Sequence, residues 1–268
     1  MARMTSRGPV LSLAALYFLV PVGASLWYTV DNPGGISFDA YTQGLGSEGM
    51  ISSLLLSVSL GLATVVLGLL LMVPTTVAVA LYFPKLRSVV GVLSMMPLVV
   101  PPIALVAGVS TVLSWQTDLA ATPLYGTFQA LLNKDFPLIL VLVYTVMSLP
   151  FLHRSLDAGL RAVDLRTLVE ASRSLGASRI QTLLRVVVPN LRTAVVGGAV
   201  LSLAMVLGEY TVASVLGFAP FAVWMVEVGE TEAQLSAAAA MLSLLITWGL
   251  LLLLTTLAGG RNRRIPAS

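Results

Sequence analysis

The stretch from Glu170 to Pro189 reads EASRSLGASRIQTLLRVVVP, and it decides how the rest of this sequence is interpreted. It is polar and basic, yet it lies between two long apolar segments of the chain. Apolar residues recur at helical spacing on both sides of Gly176. Because glycine reaches left-handed dihedrals at little cost, Gly176 predicts a sharp turn. Ser178 suits the N-cap of a second short helix that ends before Pro189. The pattern therefore predicts a helix, a turn and a helix along a membrane surface.

The composition around this stretch is that of a membrane protein. Hydrophobic residues make up 57% of the 268 residues and charged residues 10%, which is far from the balance of soluble domains. A bilayer span needs roughly 20 apolar residues, and six runs qualify as candidates. They lie at 9–30, 51–82, 89–113, 137–152, 193–217 and 236–258. We expect an all-α polytopic membrane protein, a single domain over 1–268 with six transmembrane helices, whose short fourth span extends beyond the membrane as an amphipathic helix.

The basic residues predict the orientation of the chain. When both termini are placed in the cytoplasm, 14 of the 15 lysines and arginines fall inside and only Lys134 falls outside, in agreement with the positive-inside rule. Asp118 and Glu230 then lie outside. This basic face is ordinary for a multi-pass protein of a cell (plasma or inner) membrane in contact with the lipid bilayer, and it needs no nucleic-acid partner.

The first apolar run, 9–30, imitates a secretory signal peptide. Arg3 and Arg7 precede it, and Val22-Gly23-Ala24 imitates a cleavage site. The apolar character continues through Val30, however, which favours a retained membrane anchor.

The residue inventory offers no catalytic chemistry. The sequence has no cysteine, so disulfides and thiolate metal sites are excluded. Its one histidine, His153, has no second imidazole or carboxylate cluster near it in sequence and is a poor metal ligand. A Gly-rich phosphate loop and a nucleophile motif are also absent from the sequence. We expect no catalytic residue, no metal and no cofactor on this chain.

Two prolines interrupt the third predicted span. Pro101 and Pro102 lie in its middle, where each removes a backbone donor and clashes with the preceding turn, so the helix should bend or break there. The break is either a packing kink or a non-helical segment that lines a substrate pathway, as transporters use at membrane depth.

Glu209 is the only acid inside a predicted span. An intramembrane carboxylate costs roughly 2–3 kcal/mol or more and usually faces a cavity or a partner. It could attract a cationic substrate, assisted by Tyr210 stacking against an alkylammonium group. Alternatively, it is a structural carboxylate, held by a hydrogen bond or by backbone donors at a helix break.

The spacing of the 170–189 stretch resembles the cytoplasmic coupling loop of binding-protein-dependent ABC importer permeases of type I. The pattern of that loop is Glu-Ala-Ala-x3-Gly-x9-Ile-x-Leu-Pro, and this chain departs from it conservatively at Ser172, Val186 and Val188. The resemblance implies a cytoplasmic coupling helix between spans four and five, in a loop of about 153–191, which receives the motion of a separate ATPase. The positions that it assigns to ATPase coupling are Glu170, Ala171, Ser172, Gly176, Ala177 and Pro189.

A second resemblance concerns the substrate. The segment LGEYTVASVL, residues 207–216, looks most like spermidine/putrescine-type permeases. It implies a pathway near Glu209, Tyr210, Pro101 and Pro102 for a polyamine or another small solute, with oxyanions also open. The implied partners are ABC ATPase subunits carrying ATP and Mg, a second permease subunit (a sibling rather than this chain itself) and an extracytoplasmic solute-binding protein. The alternatives are a secondary transporter, a membrane-embedded enzyme or scaffold, and an interfacial amphipathic helix in place of the coupling loop.

Overall fold

The computed structural model describes residues 7–259, which form mainly helices. Both termini, which are predicted to be cytoplasmic, lie outside the described residues. The same holds for four of the arginines that support this prediction, Arg3, Arg261, Arg263 and Arg264. The elements, in chain order, are α1 Arg7–Val30, β1 Asp31–Asn32, β2 Gly35–Ile36, α2 Asp39–Gly46, α3 Glu48–Leu81, a 3₁₀ turn Pro84–Leu86, α4 Arg87–Val99, α5 Pro102–Ser114, α6 Leu124–Leu131, α7 Leu138–Ala162, α8 Leu165–Ser174, α9 Arg179–Thr182, a π-helical turn Leu183–Val187, α10 Val188–Asn190, α11 Arg192–Leu207, α12 Thr211–Val215, α13 Phe221–Gly229 and α14 Ala233–Gly259. The two short strands pair antiparallel.

Helices long and apolar enough to cross a bilayer dominate this order. Among the described residues there are four of them, Pro9–Val30, Gly49–Leu81, Leu138–Ala162 and Ala233–Thr256. Two further spans arise if each of two sharply bent helix pairs crosses the membrane once, which makes up to six. The predicted all-α polytopic fold is confirmed.

The third predicted span is broken, as its prolines indicate. Helices α4 and α5 meet at an angle of 97°. Val100 has an extended backbone with ψ 120°, because a residue before proline is disfavoured in the helical region. Pro101 continues this extended step, and Pro102 opens the next helix, where a missing N–H costs nothing.

The fourth span extends past the predicted run, as expected, because α7 continues to Ala162. The amphipathic extension of the fourth span and the first arm before Gly176 are two separate helices. The chain leaves the helix at Val163, and Asp164 caps the next one by accepting a hydrogen bond from the Thr167 backbone N–H at 3.3 Å. Hydrogen bonds from Thr167 lower the pKa of the Asp164 carboxyl below its ordinary value.

The fifth predicted span, 193–217, is not one helix. Helix α11 ends at Leu207, and the short helix α12 follows after a break. The 16 residues of α11 form a helix about 24 Å long, which is shorter than the roughly 30 Å hydrocarbon core of a bilayer. The residue that holds this break is Glu209, whose contacts are described below.

Helix α7 lies at the centre of the bundle, between α3, α4 and α11. Leu140, Tyr144, Leu152 and Leu156 on α7 are fully buried. A Cβ on Gly198 of α11 would lie 3.3 Å from the Leu152 Cα, so α7 and α11 pack closely at this glycine. Helix α1 is peripheral and packs mainly on α14.

Candidate functional site

The sharp turn predicted at Gly176 is present. Gly176 has φ +85°, its N–H donates to the Arg173 carbonyl at 2.9 Å, and the Ala177 N–H donates to the Ser172 carbonyl at 3.2 Å. This pair of bonds is the Schellman arrangement, in which a left-handed residue satisfies the last carbonyls of a helix. Helix α8 therefore ends in a compact turn that only glycine, or at some cost asparagine, accommodates.

Ser178 begins the second arm, as predicted. Its hydroxyl accepts from the Gln181 N–H at 3.3 Å, and the Gln181 side chain accepts from the Ser178 N–H at 2.9 Å. This reciprocal capping box satisfies two backbone donors at the start of α9. We call the region from Leu165 to Asn190 the hairpin.

The two arms of the hairpin are joined by a buried polar contact. The hydroxyls of Ser172 on α8 and Thr182 on α9 are 3.0 Å apart and hydrogen-bonded, and both residues are buried. Ser172 replaces the second alanine of the Glu-Ala-Ala pattern, so this departure adds a bond that alanine could not make. The bond fixes the spacing of the arms on either side of the turn.

The rear of the hairpin packs into the bundle. Val169 on α8, Val187 on the second arm and Leu191 directly after that arm are buried in one cluster with Val77 of α3 and Leu160 of α7. Since packed interiors are dense and transmit displacement, a force on the hairpin reaches α3 and α7 through these side chains.

The front of the hairpin is open and apolar at its tip. Leu175 is 89% exposed and Ile180 is 70% exposed, and Leu184, four residues further along the second arm, is also exposed. Large exposed apolar groups of this kind mark interaction sites. Glu170 lies exposed on the adjacent turn of α8, where it forms an ion pair with Arg166 at 3.1 Å. Ala171 is also exposed, and Ala177 is half-buried.

The predicted end of the second arm before Pro189 is wrong. The helical path continues through the π-helical turn Leu183–Val187 into α10, which contains Pro189. A proline ring clashes with the carbonyl one turn earlier in a regular helix, and the wider π turn relieves that clash. The segment Arg179–Asn190 then bends by 77° into α11.

Glu209 lies in the break between α11 and α12 and is 8% exposed. Its carboxylate accepts from the Tyr144 hydroxyl at 2.9 Å, from the Val212 N–H at 2.8 Å and from the Ala213 N–H at 3.4 Å. The two backbone donors belong to the first turn of α12, where an anion is favoured. This geometry favours the structural alternative for Glu209, and its contact with substrate stays a prediction.

The two broken spans meet in the bundle. Helix α12 packs on α5, and Val106, Val212 and Ala213 are fully buried in one apolar cluster. Pro101 and Pro102 are exposed at the start of α5, and Tyr210 is 42% exposed. Helices α5 and α12, each of which follows one of the breaks, therefore pack against each other. The substrate-pathway role predicted for Pro101, Pro102 and Tyr210 stays a prediction.

Some important partners are not apparent in the sequence. Tyr144 and Thr182 bind residues 65 and 10 positions away, so no local spacing indicates them. The N-cap role of Asp164 could have been predicted, because aspartate is a preferred N-cap residue that accepts from the backbone N–H three residues later. Within the part of the chain that the structure describes, no group of three His, Asp or Glu side chains is placed to hold a metal.

Membrane-length helices, two broken spans and a hairpin packed at the side of the bundle define a multi-pass transport permease. Residues 72–265 match the family described as the binding-protein-dependent transport system inner membrane component, and the chain belongs to this family. The match contains the hairpin and both broken spans.

Individual relatives carry different substrates in their names. A probable molybdenum ABC transporter permease protein of Haloferax volcanii is 27% identical over 81% of this chain and 76% of its own length. The spermidine/putrescine transport system permease protein PotB of Haemophilus influenzae is 28% identical over 78% of this chain and 71% of its own. A probable sulfate transport system permease protein of Prototheca wickerhamii is 41% identical, but the match spans only 32% of each chain.

Proposed function

We propose that this chain forms half of the translocation pathway of an ATP-driven importer and is coupled through its hairpin to a separate ATPase. The hairpin carries the proposal, because its arms are bonded together, its rear is buried against α3 and α7, and its tip is exposed and apolar. A partner that binds the tip would move the bundle as a unit, which is what alternating access requires. ATP and Mg would bind the ATPase, and the chain itself would hydrolyse nothing.

A second permease subunit is the proposed occupant of the open face around the α4–α5 break. Val99 is 82% exposed, and Met96, Leu98 and Ile103 beside it are also exposed. Apolar side chains around a proline break suit a protein neighbour, since non-helical backbone at membrane depth must be covered by protein or line a cavity. We favour a sibling permease over a second copy of this chain, with a solute-binding protein delivering the cargo from outside.

A polyamine or another small solute is the proposed cargo. The relatives described above are named for spermidine/putrescine, molybdenum and sulfate. Their names therefore do not indicate whether the cargo of this chain is a cation or an anion. The bonded carboxylate of Glu209 argues that this residue is not the main determinant of selectivity. Mass spectrometry of the ligand that co-purifies with the binding protein of the intact complex identifies the cargo directly.

We expect Glu170→Ala to reduce ATP hydrolysis stimulated by the binding protein in proteoliposomes by several-fold. The exposed ion pair to Arg166 is worth only about 0.3–0.5 kcal/mol, so folding should not change. The matched variant Arg166→Ala breaks the same ion pair but leaves the Glu170 carboxylate in place, and it should keep the parental rate. Parental coupling in Glu170→Ala would contradict a contact between this residue and the ATPase.

Single cysteines test the proposed orientation, because the native chain has none. Cysteines at Asp118 and Glu230, both exposed, should react with a membrane-impermeant maleimide added outside intact cells. A cysteine at Arg179, at the start of α9 in the hairpin, should react only after the membrane is opened. Labelling of the Arg179 position from outside would reverse the orientation and remove the ATPase-docking role of the hairpin.

A further inference from the structure

A cleft of about 260 Å³ separates the last turns of α3 from the hairpin. Its inner wall is apolar, with Pro74, Val77 and Leu81 contributed by α3 and Val169 and Val187 by the hairpin. The coupling role proposed above does not use this cleft, because the exposed tip at Leu175 and Ile180 takes no part in its lining.

Two arginines lie at the open edge of the cleft. Arg173 on α8 and Arg179 on α9 both line it and are both exposed. The guanidinium carbon of Arg179 is 6.0 Å from the centroid of the Tyr82 ring, within cation–π range. Among residues 7–259, neither guanidinium has a carboxylate within ion-pair distance. The cleft therefore combines an apolar interior with two positive charges that are not neutralised within the described part of the chain.

The position of the cleft along α3 determines what can enter it. Pro74 precedes Tyr82 by eight residues, which is about 12 Å along a helix axis. Helix α3 is a membrane-length helix and ends at Leu81. Tyr82 and Phe83 follow it, as aromatic residues do at a membrane–water interface. With Tyr82 and Phe83 at the interface, the inner end of the cleft would lie at hydrocarbon depth, where an acyl chain resides and a water-soluble loop or anion does not.

We propose that this cleft binds an anionic phospholipid. The phosphate lies between Arg173 and Arg179, and one acyl chain extends along the wall formed by Pro74, Val77 and Val187. Basic pockets beside membrane helices recognise anionic headgroups in this way, and guanidinium–phosphate hydrogen bonds are charge-assisted. The bound lipid joins α3 to both arms of the hairpin, so it stabilises the position of the hairpin on the bundle. This binding does not depend on transport or on the ATPase.

Native mass spectrometry of the assembled transporter, extracted from nanodiscs of equal phosphatidylglycerol and phosphatidylcholine, tests the site. The parental complex should retain phosphatidylglycerol selectively. The double variant R173Q/R179Q should bind it about 30-fold more weakly, since each arginine near an anionic surface contributes about fivefold in affinity. The matched control R185Q removes an exposed arginine of the same hairpin that does not line the cleft, and it should retain phosphatidylglycerol at the parental level.

A second variant separates a seated lipid from a general attraction of charges. Ala78 lines the cleft and is half-buried, so A78L fills it without changing any charge and should also lose the retained phosphatidylglycerol. Parental retention in R173Q/R179Q would overturn the proposal. So would an equal loss in R185Q, or parental retention in A78L, because each indicates attraction to the surface alone. The melting temperature of each complex shows that the variants are folded, and the single variants R173Q and R179Q repeat the test if the double variant is not.

Discussion

Gly176→Val should abolish most of the ATP hydrolysis that the binding protein stimulates in the reconstituted transporter. Gly176 has φ +85°, a region that a β-branched side chain enters only as a clear outlier, at a cost of roughly 1–2 kcal/mol. The valine variant would lose the Schellman bonds to the carbonyls of Ser172 and Arg173. A cost of this size corresponds to about a tenfold loss of correctly formed turns, and we expect a fall in coupled hydrolysis of the same order.

Gly176→Asn is the control for this prediction. Asparagine tolerates the left-handed region far better than valine, and an added Cβ at Gly176 meets no atom within 4 Å. The asparagine variant should therefore retain most of the parental coupling. Equal loss in both variants would indicate that the ATPase contacts the glycine backbone closely. Parental activity in both would remove this turn from the coupling mechanism.

The largest loss of stability is expected from Glu209→Ala. The change leaves the Tyr144 hydroxyl and the N–H groups of Val212 and Ala213 without their shared acceptor in a buried site. Each unsatisfied buried group costs about 1–3 kcal/mol, so the sum is at least about 3 kcal/mol. We expect the melting temperature of the assembled complex to fall by on the order of 10 °C.

Two milder variants distinguish a structural role of Glu209 from a role in substrate transport. Tyr144→Phe removes one of the three donors and should cost about 1–2 kcal/mol. Glu209→Gln keeps an acceptor oxygen, so it should lower the melting temperature less than alanine does. Under the structural assignment, uptake per folded complex in the glutamine variant stays at the parental level. A loss of uptake with unchanged stability in Glu209→Gln would instead return Glu209 to the substrate pathway.

Features that depend on neighbours in sequence were predictable. Gly176 bonds the Arg173 carbonyl three residues before it, and Ser178 caps the Gln181 N–H three residues after it, so the turn and the capped second arm are present as expected. The break at Pro101 and Pro102 follows from covalent geometry alone, because proline lacks the N–H that a continuous helix needs. Local chemistry therefore predicts the hairpin turn and the broken third span.

Features that depend on tertiary contacts were not predictable. The sequence offered a helix break at Glu209 only as an alternative, because the end of α11 at Leu207 lies in an apolar run with no proline. The partner that holds this break, Tyr144, comes from another helix and has no local signal. Pro189 was expected to end its arm, but the preceding π turn accommodates it, and π turns have no reliable signal in a single sequence. The bond between Ser172 and Thr182 depends on how the turn brings two helices together.

The 77° bend between Arg179–Asn190 and α11 gives the hairpin the geometry of an elbow. From Arg179 to the bend at Leu191 the arm contains 12 residues and extends about 18 Å. If an ATPase displaced its tip by one helical turn, about 5.4 Å, the arm would pivot by about 17°. Because the arm is nearly perpendicular to α11, this pivot would tilt α11 instead of pushing it along its axis. A small stroke outside the membrane would thus become a rotation within it, and the break at Glu209 lies at the far end of the helix that rotates.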